Sequence, residues 1–209
     1  DSVPNFDNGR LNAKKKNVVV VGGGDTAMDC VRTAVRQGAK NVKCLYRRNR
    51  ENMPGSMREV LHAEEEGVEF KWLSVPINIF GNKQVDAIEV AKVKLGEPDA
   101  SGRESPKILA KDTFKLKADM VIKAIGFHPE PLPKLFNHPS LQVTKWGTIK
   151  IDHETMMTNQ PGIFAAGDIV RGAALVVWAI RDGRDAAKSI DNYLSKNINK
   201  EETKQFASL

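Results

Sequence analysis

Two short stretches of this sequence have residue types and spacing suited to chemistry. Residues 18–29 read VVVVGGGDTAMD. Gly22, Gly24 and Ala27 make the pattern G-x-G-x-x-A, after an apolar run and before a segment with helical spacing. In such a turn the first glycine permits a sharp exit from a strand. The second lets a pyrophosphate approach the main chain, and the small third residue lets the helix lie close to the sheet. Free N–H groups at the helix start, together with the helix dipole, favour an anion there. Gly23, Asp25 and Thr26 complete the turn, and Asp25 and Thr26 have the alternative job of capping the helix. The turn lacks the Gly-Lys-Ser/Thr ending of a P-loop.

The second stretch is LYRRNRENMP, residues 45–54. An NAD-reading unit places an acidic residue here, about 20 residues beyond the glycines, to hold the ribose 2′-hydroxyl. This chain has Arg47 and Arg48 instead. A carboxylate would repel a 2′-phosphate, whereas two guanidinium groups attract it and can grip it bidentately. The cofactor expected from these residues is NADP(H). A solvated basic loop is the other reading of the same arginines.

The elements that must position these residues are legible from pattern. Asn17–Val21 is a short continuous apolar run, as in a strand buried on both faces. Ala27, Met28, Val31, Ala34 and Val35 then recur with helical spacing until Gly38. A second strand is predicted over 41–46, which completes a βαβ unit within about 30 residues. A second helix is predicted over 55–67 and a third strand over 68–73. Alternation over 84–95 and 113–118, around the polar stretch GEPDASGRESP, predicts an antiparallel hairpin added to a parallel core. Residues 119–126 return as a buried strand. The proline-rich FHPEPLPKLF resists regular structure and marks the expected domain boundary. Beyond it are expected extended pieces around Trp146–Ile151, a strand over 162–168 ending in Gly167 and Asp168, and a long helix from about Ala173. The expected fold is therefore α/β and Rossmann-like, with residues 1–16 a linker and 17–127 the nucleotide-binding domain.

Bulk properties bound the function. With 209 residues the chain can form one large domain or two small ones. Its apolar content of 41% suits a globular core. No apolar run approaches the roughly 20 residues of a membrane span, so no membrane role is expected. The net charge of +6 lies largely in Lys14–Lys16 and in Arg47, Arg48 and Arg50. No basic stripe interleaved with aromatics accompanies it, which argues against nucleic acid. Cys30 and Cys44 form no CxxC, and the four histidines lack ligand spacing, so no dithiol centre and no metal site are expected. Unpaired thiols suit a reducing compartment such as the cytoplasm. The start, DSVPNFDNGR, has neither an initiator Met nor a signal-peptide pattern and reads as the interior of a longer protein.

Four segments in this order resemble the glutamate synthase small (β) subunit family. They are residues 18–48, MPGSMREVLHAEEEGVEF, ADMVIKAIGFHPEP and TNQPGIFAAGDIVRGAALVVWAIRDGRDAA. The family includes the NADPH-reading half of dihydropyrimidine dehydrogenase. The resemblance implies an NADPH domain inserted into an FAD domain, with residues 128–209 the C-terminal segment of the latter. It implies that Gly23, Gly24, Asp25 and Thr26 contact the NADPH pyrophosphate, beside the turn glycine Gly22, and that Arg47 and Arg48 read its 2′-phosphate. Ala124, Ile125 and Gly126 would line the same site. Gly167 and Asp168 would belong to the FAD site, with Asp168 at the flavin ribityl chain, though a capped strand–helix turn also accounts for them. The long helix would point its start at the flavin ring.

The family also carries an earlier G-x-G-x-x-G for FAD and a cysteine-rich iron–sulfur segment, and this sequence has neither. Only part of the FAD site is expected in the chain, and the long helix should carry an apolar face without its cover. The implied activity is hydride transfer from NADPH to FAD, with electrons passing through iron–sulfur centres to a large glutamate synthase subunit or an equivalent acceptor. An isolated, non-catalytic NADP(H)-binding module is the alternative. A thioredoxin-reductase-like enzyme is disfavoured by the absence of CxxC.

Overall fold

A computed structural model describes residues 12–98 and 104–206. The chain divides between Gly126 and Phe127 into two compact units.

In the first unit, the apolar run forms β1 (Asn17–Val21) and the helical pattern forms α1 (Asp25–Arg36). These are followed by β2 (Asn41–Leu45), α2 (Met57–Glu65) and a short β3 (Glu69–Lys71). The chain then makes three antiparallel strands, β4 (Ser74–Gly81), β5 (Val85–Pro98) and β6 (Glu104–Lys117), before β7 (Met120–Lys123). The four parallel strands lie in the order β3-β2-β1-β7.

The valine run is apolar throughout because both faces of β1 are covered. Val18 and Val20 pack with Ala27, Met28 and Val31 of α1 and with Val60 and Ala63 of α2. Val19 packs the other way, with Ile88 and Val90 of β5 and Ala118. Helices, parallel sheet and antiparallel sheet thus form three layers. Each fully buried valine contributes roughly 1.5–3 kcal/mol by leaving water.

The expected hairpin is present, but it carries a third strand. β4 reads SVPINIFG, whose proline and absence of strict alternation hide it in the sequence. Pro76 is tolerated because β4 is an edge strand. Both β5 and β6 run 14 residues, well into the stretch expected to be loop; residues 99–103 of that stretch lie outside the described residues. Of the expected linker, residues 1–11 also lie outside. Its end is anchored: Ala13 is buried in the helix-side core, and the Lys15 N–H donates to the Gly38 carbonyl at 2.8 Å.

Gly22 shows how tightly β1 meets β7. Its φ is +148°, and a side-chain carbon there would fall 2.1 Å from the Ala124 carbonyl oxygen. Neither strain nor clash can be relieved without separating two core strands. Gly22→Ala should lower stability by about 3 kcal/mol or more. Urea denaturation checks this, and an unchanged midpoint would refute the packing argument.

The second unit has little regular structure before its last helix. It contains α3 (Leu132–Leu135), one turn within the proline-rich segment, then isolated bridges pairing Val143 with Ile149, Ile151 with Thr158, and Met157 with Phe164. Residues 162–168 therefore do not form the strand expected there. Phe164 makes a single bridge, to Met157, and the segment is bounded by the turn at 158–163 before it and by Gly167, where the chain enters α4, after it. A short helix, α4 (Asp168–Arg171), precedes the long α5 (Val176–Phe206), which begins three residues later than expected. Among the described residues no helix is long and apolar enough to cross a membrane.

Candidate functional site

The topology places the glycine turn and the β7 exit at one edge. The chain leaves β1 for β2 on one side, and returns as β7 on the other, so the carboxyl ends of β1 and β7 border the switch in strand order. Open α/β sheets bind ligands at such a switch. Gly22–Thr26 follow β1, and Ala124, Ile125 and Gly126 follow β7. The Ala124 N–H donates to the Val21 carbonyl at 2.8 Å, which fixes the two exits side by side. Ala124 is buried, whereas Ile125 and Gly126 are exposed.

The turn itself is held from three sides. The Gly22 N–H donates to the Leu45 carbonyl at 3.0 Å, and the buried Cys44 thiol donates to the Gly22 carbonyl at 3.4 Å. Burial pushes the Cys44 thiol up to about 12, so it stays protonated and remains a donor. The Tyr46 ring lies so close over Gly23 that a side-chain carbon there would approach it to 2.4 Å. The Gly23 carbonyl accepts from the Gly55 N–H at 2.9 Å.

Gly24 differs from its neighbours: a side-chain carbon built there would meet nothing within 4 Å. Its backbone is extended, with φ −91° and ψ 177°, and its carbonyl accepts from Ala27 and Met28. Among the described residues nothing accepts from the N–H groups of Gly23, Gly24, Asp25 and Thr26. Four donors at a helix start, beside open space, form a cradle for an oxyanion. The cap expected of Asp25 and Thr26 does not form. Instead Asp25 Oδ1 accepts from the Ser56 N–H at 3.0 Å, so the Pro54-Gly55-Ser56 turn is stitched onto the cradle. The sequence pattern placed Gly55 and Ser56 at the start of the second helix, whereas α2 begins at Met57 and these two residues lie in the turn before it. Their only local signal is a Pro-Gly-Ser turn, which says nothing about what it touches.

The arginines follow β2 directly, beyond Tyr46, at the same edge. Arg47 is exposed and Arg48 half-buried. Arg48 Nε donates to the Glu104 carbonyl at 3.0 Å. Neither forms an ion pair with a described residue, so both charges remain available. Arg50 does not: its Nη1 and Nη2 donate to Glu64 of α2 at 3.2 and 2.9 Å. Among the described residues the three arginines, alike in sequence, thus divide into two without an ion pair and one fastener.

In the second unit, Gly167 has φ +76° and Asp168 is exposed at the start of α4. Arg171 grips the buried Asp182 through Nε at 2.9 Å and Nη2 at 2.5 Å. Those hydrogen bonds hold the Asp182 carboxyl below the usual carboxylate range. Leu175, Val176, Val177 and Ile180 are exposed around the start of α5. Trp178 there stacks with the guanidinium of Arg171 at 4.9 Å. An apolar cleft of about 300 Å³, lined by Leu132, Phe136, Leu141, Ile149 and Phe164, also belongs to this unit. Among the described residues no three His, Cys, Asp or Glu side chains converge to hold a metal.

The sequence profile of the pyridine nucleotide-disulphide oxidoreductase family matches residues 2–183. The chain is 61% identical over 193 residues to a glutamate synthase [NADPH] small chain of Azospirillum brasilense, covering 92% of this chain and 40% of that one. It is 51% identical to the corresponding Escherichia coli protein, covering 86% of this chain and 39% of that one. The chain thus spans less than half the length of these relatives. In fold it resembles Mycobacterium tuberculosis FprA in complex with NADPH, with a TM-score of 0.75 at 17% identity over 99% of this chain and 60% of that one. The chain therefore belongs to the pyridine nucleotide-disulphide oxidoreductase family.

Proposed function

We propose that this chain is the NADP(H)-reading part, with one portion of the FAD site, of a longer NADPH-dependent flavin oxidoreductase of the glutamate synthase small-subunit type. The observation that carries the reading is the pairing of an unobstructed anion cradle at Gly24 with two guanidinium groups at one sheet edge, neither of which is ion-paired to a described residue. The N–H groups of Gly23–Thr26 hold the pyrophosphate. Arg47 and Arg48 hold the 2′-phosphate, and the exposed Ile125 and Gly126 border the remainder of the nucleotide. Gly167 and Asp168 hold the ribityl end of the flavin, whose other contacts come from segments outside this chain. Identity of 61% to a protein named as an NADPH-dependent small chain supports this reading.

The bound pair of cofactors supplies hydride transfer from nicotinamide to flavin, and electrons then leave through iron–sulfur centres to a large subunit that forms glutamate in the cytoplasm. The protein's own contribution is orientation, which is why no side chain is assigned as acid, base or nucleophile. Anaerobic mixing of the full-length flavoprotein with NADPH and with NADH tests the proposal. NADPH should bleach the flavin absorbance much faster than NADH at equal concentration. A flavin that stays oxidised with NADPH would defeat it.

A further inference from the structure

The arginine pair is not held by its own loop. The Tyr46 carbonyl accepts from the Ser74 N–H at 3.0 Å, and the Arg48 carbonyl accepts from the Leu73 N–H at 3.0 Å. Leu73 has φ +51°, an uncommon conformation for a leucine, and its carbonyl in turn accepts from Val93 of β5 at 2.9 Å. At the far end of the antiparallel sheet, Glu104 opens β6 and reaches the same loop twice. Its carbonyl takes Arg48 Nε at 3.0 Å, and its Oε2 accepts from Asn52 Nδ2 at 2.8 Å. Asn52 is also tied to Asn49 and, through its carbonyl, to the Tyr46 hydroxyl at 2.8 Å. The antiparallel sheet therefore clamps residues 46–52 from two sides.

From this clamp we propose that Glu104 is a positioning residue for discrimination between NADP(H) and NAD(H), a proposal that rests on the NADP(H) reading above. By occupying Nε of Arg48, the Glu104 carbonyl leaves the two terminal nitrogens of that guanidinium for the phosphate. By holding Asn52, the Glu104 side chain keeps the loop in the conformation in which that carbonyl reaches Arg48. The Glu104 carboxylate accepts from the Asn52 amide and forms no ion pair with Arg48. Its engagement by an amide rather than by Arg48 keeps the arginine charge free. The role depends on a hydrogen-bond acceptor, not on charge, so glutamine at this position should serve as well.

The test is calorimetric titration of the protein with NADP⁺ and NAD⁺, using Glu104→Ala and Glu104→Gln alongside the unaltered chain. Glu104→Ala should weaken NADP⁺ binding about fivefold and leave NAD⁺ binding and the melting temperature unchanged. Glu104→Gln should stay within about twofold of the unaltered chain for both nucleotides. Equal weakening of both nucleotides, no effect of Glu104→Ala, or tighter NADP⁺ binding in both variants would each overturn the assignment. The outcome for the unaltered chain separates the two levels of inference. Absence of any preference for NADP⁺ there sinks the cofactor reading itself, whereas an intact preference with an inert Glu104 sinks only the positioning role.

Discussion

Gly24→Ala should leave the protein folded and remove most of its affinity for NADP(H). The position is unusual in separating stability from binding. At Gly22 or Gly23 an added carbon strikes Ala124 or Tyr46, so loss of binding there would be confounded by loss of structure. At Gly24 it strikes nothing, and the extended backbone accepts any residue. Alanine is a poorer helix N-cap than glycine by roughly 0.5–1 kcal/mol. It also restricts the unfolded chain, which returns about 0.4–1 kcal/mol. The net change in stability should thus be close to zero. In the complex, however, the methyl group would occupy the space that brings phosphate oxygens against four free N–H groups. Donors left unpaired in a closed interface cost about 1–3 kcal/mol, which corresponds to roughly 5–150-fold in Kd. Thermal melting and calorimetric titration with NADP⁺, run on the same preparation, check both halves. Unchanged affinity would show that the pyrophosphate does not lie at this turn.

Replacing Arg47 and Arg48 together by alanine should abolish the preference for NADP⁺ without impairing NAD⁺ binding. Charge-assisted hydrogen bonds to a phosphate contribute about 1.5–3 kcal/mol each. Arg47 is exposed and its share is screened, so a combined loss of about 3 kcal/mol, over 100-fold in Kd, is expected. NAD⁺ lacks the phosphate and should bind as before. The NADP⁺ preference of the unaltered protein should also shrink as salt is added. Arg50→Ala gives the internal contrast. Its guanidinium is committed to Glu64, so its loss should affect the loop's anchorage on α2 by no more than about 1 kcal/mol and leave the nucleotide preference largely intact. Retained discrimination in the double variant would assign the basic loop to the solvated surface.

Much of the fold was legible because local pattern reports burial. The unbroken valine run signalled a strand covered on both faces, and Val18 to Val20 are covered in that way. The spacing of Ala27, Met28, Val31, Ala34 and Val35 signalled a helix with one buried stripe; the first four are buried and Val35 is half-buried. What escaped was structure whose pattern is weak or whose cause is remote. Strand β4 has an exposed edge and a proline, so neither alternation nor a continuous apolar run marks it. Residues 162–168 look like a strand, but their neighbours bend back too soon to extend the pairing beyond one bridge.

The sequence alone determined that a glycine turn joins a buried strand to a helix, and that two adjacent arginines follow the next strand. These are facts of composition and spacing within about 30 residues, and backbone sterics and hydrophobic burial act over that range. Tertiary structure decided which groups were left free to act. It committed Arg50 to Glu64 and left Arg47 and Arg48 without an ion pair among the described residues, it stitched Gly55 and Ser56 to the cradle, and it brought Glu104 to Arg48 across 56 positions of chain. Such partnerships depend on where separate elements meet after packing. No periodicity within either segment encodes the meeting, because a hydrogen-bond partner is chosen by proximity in space and not by distance along the chain.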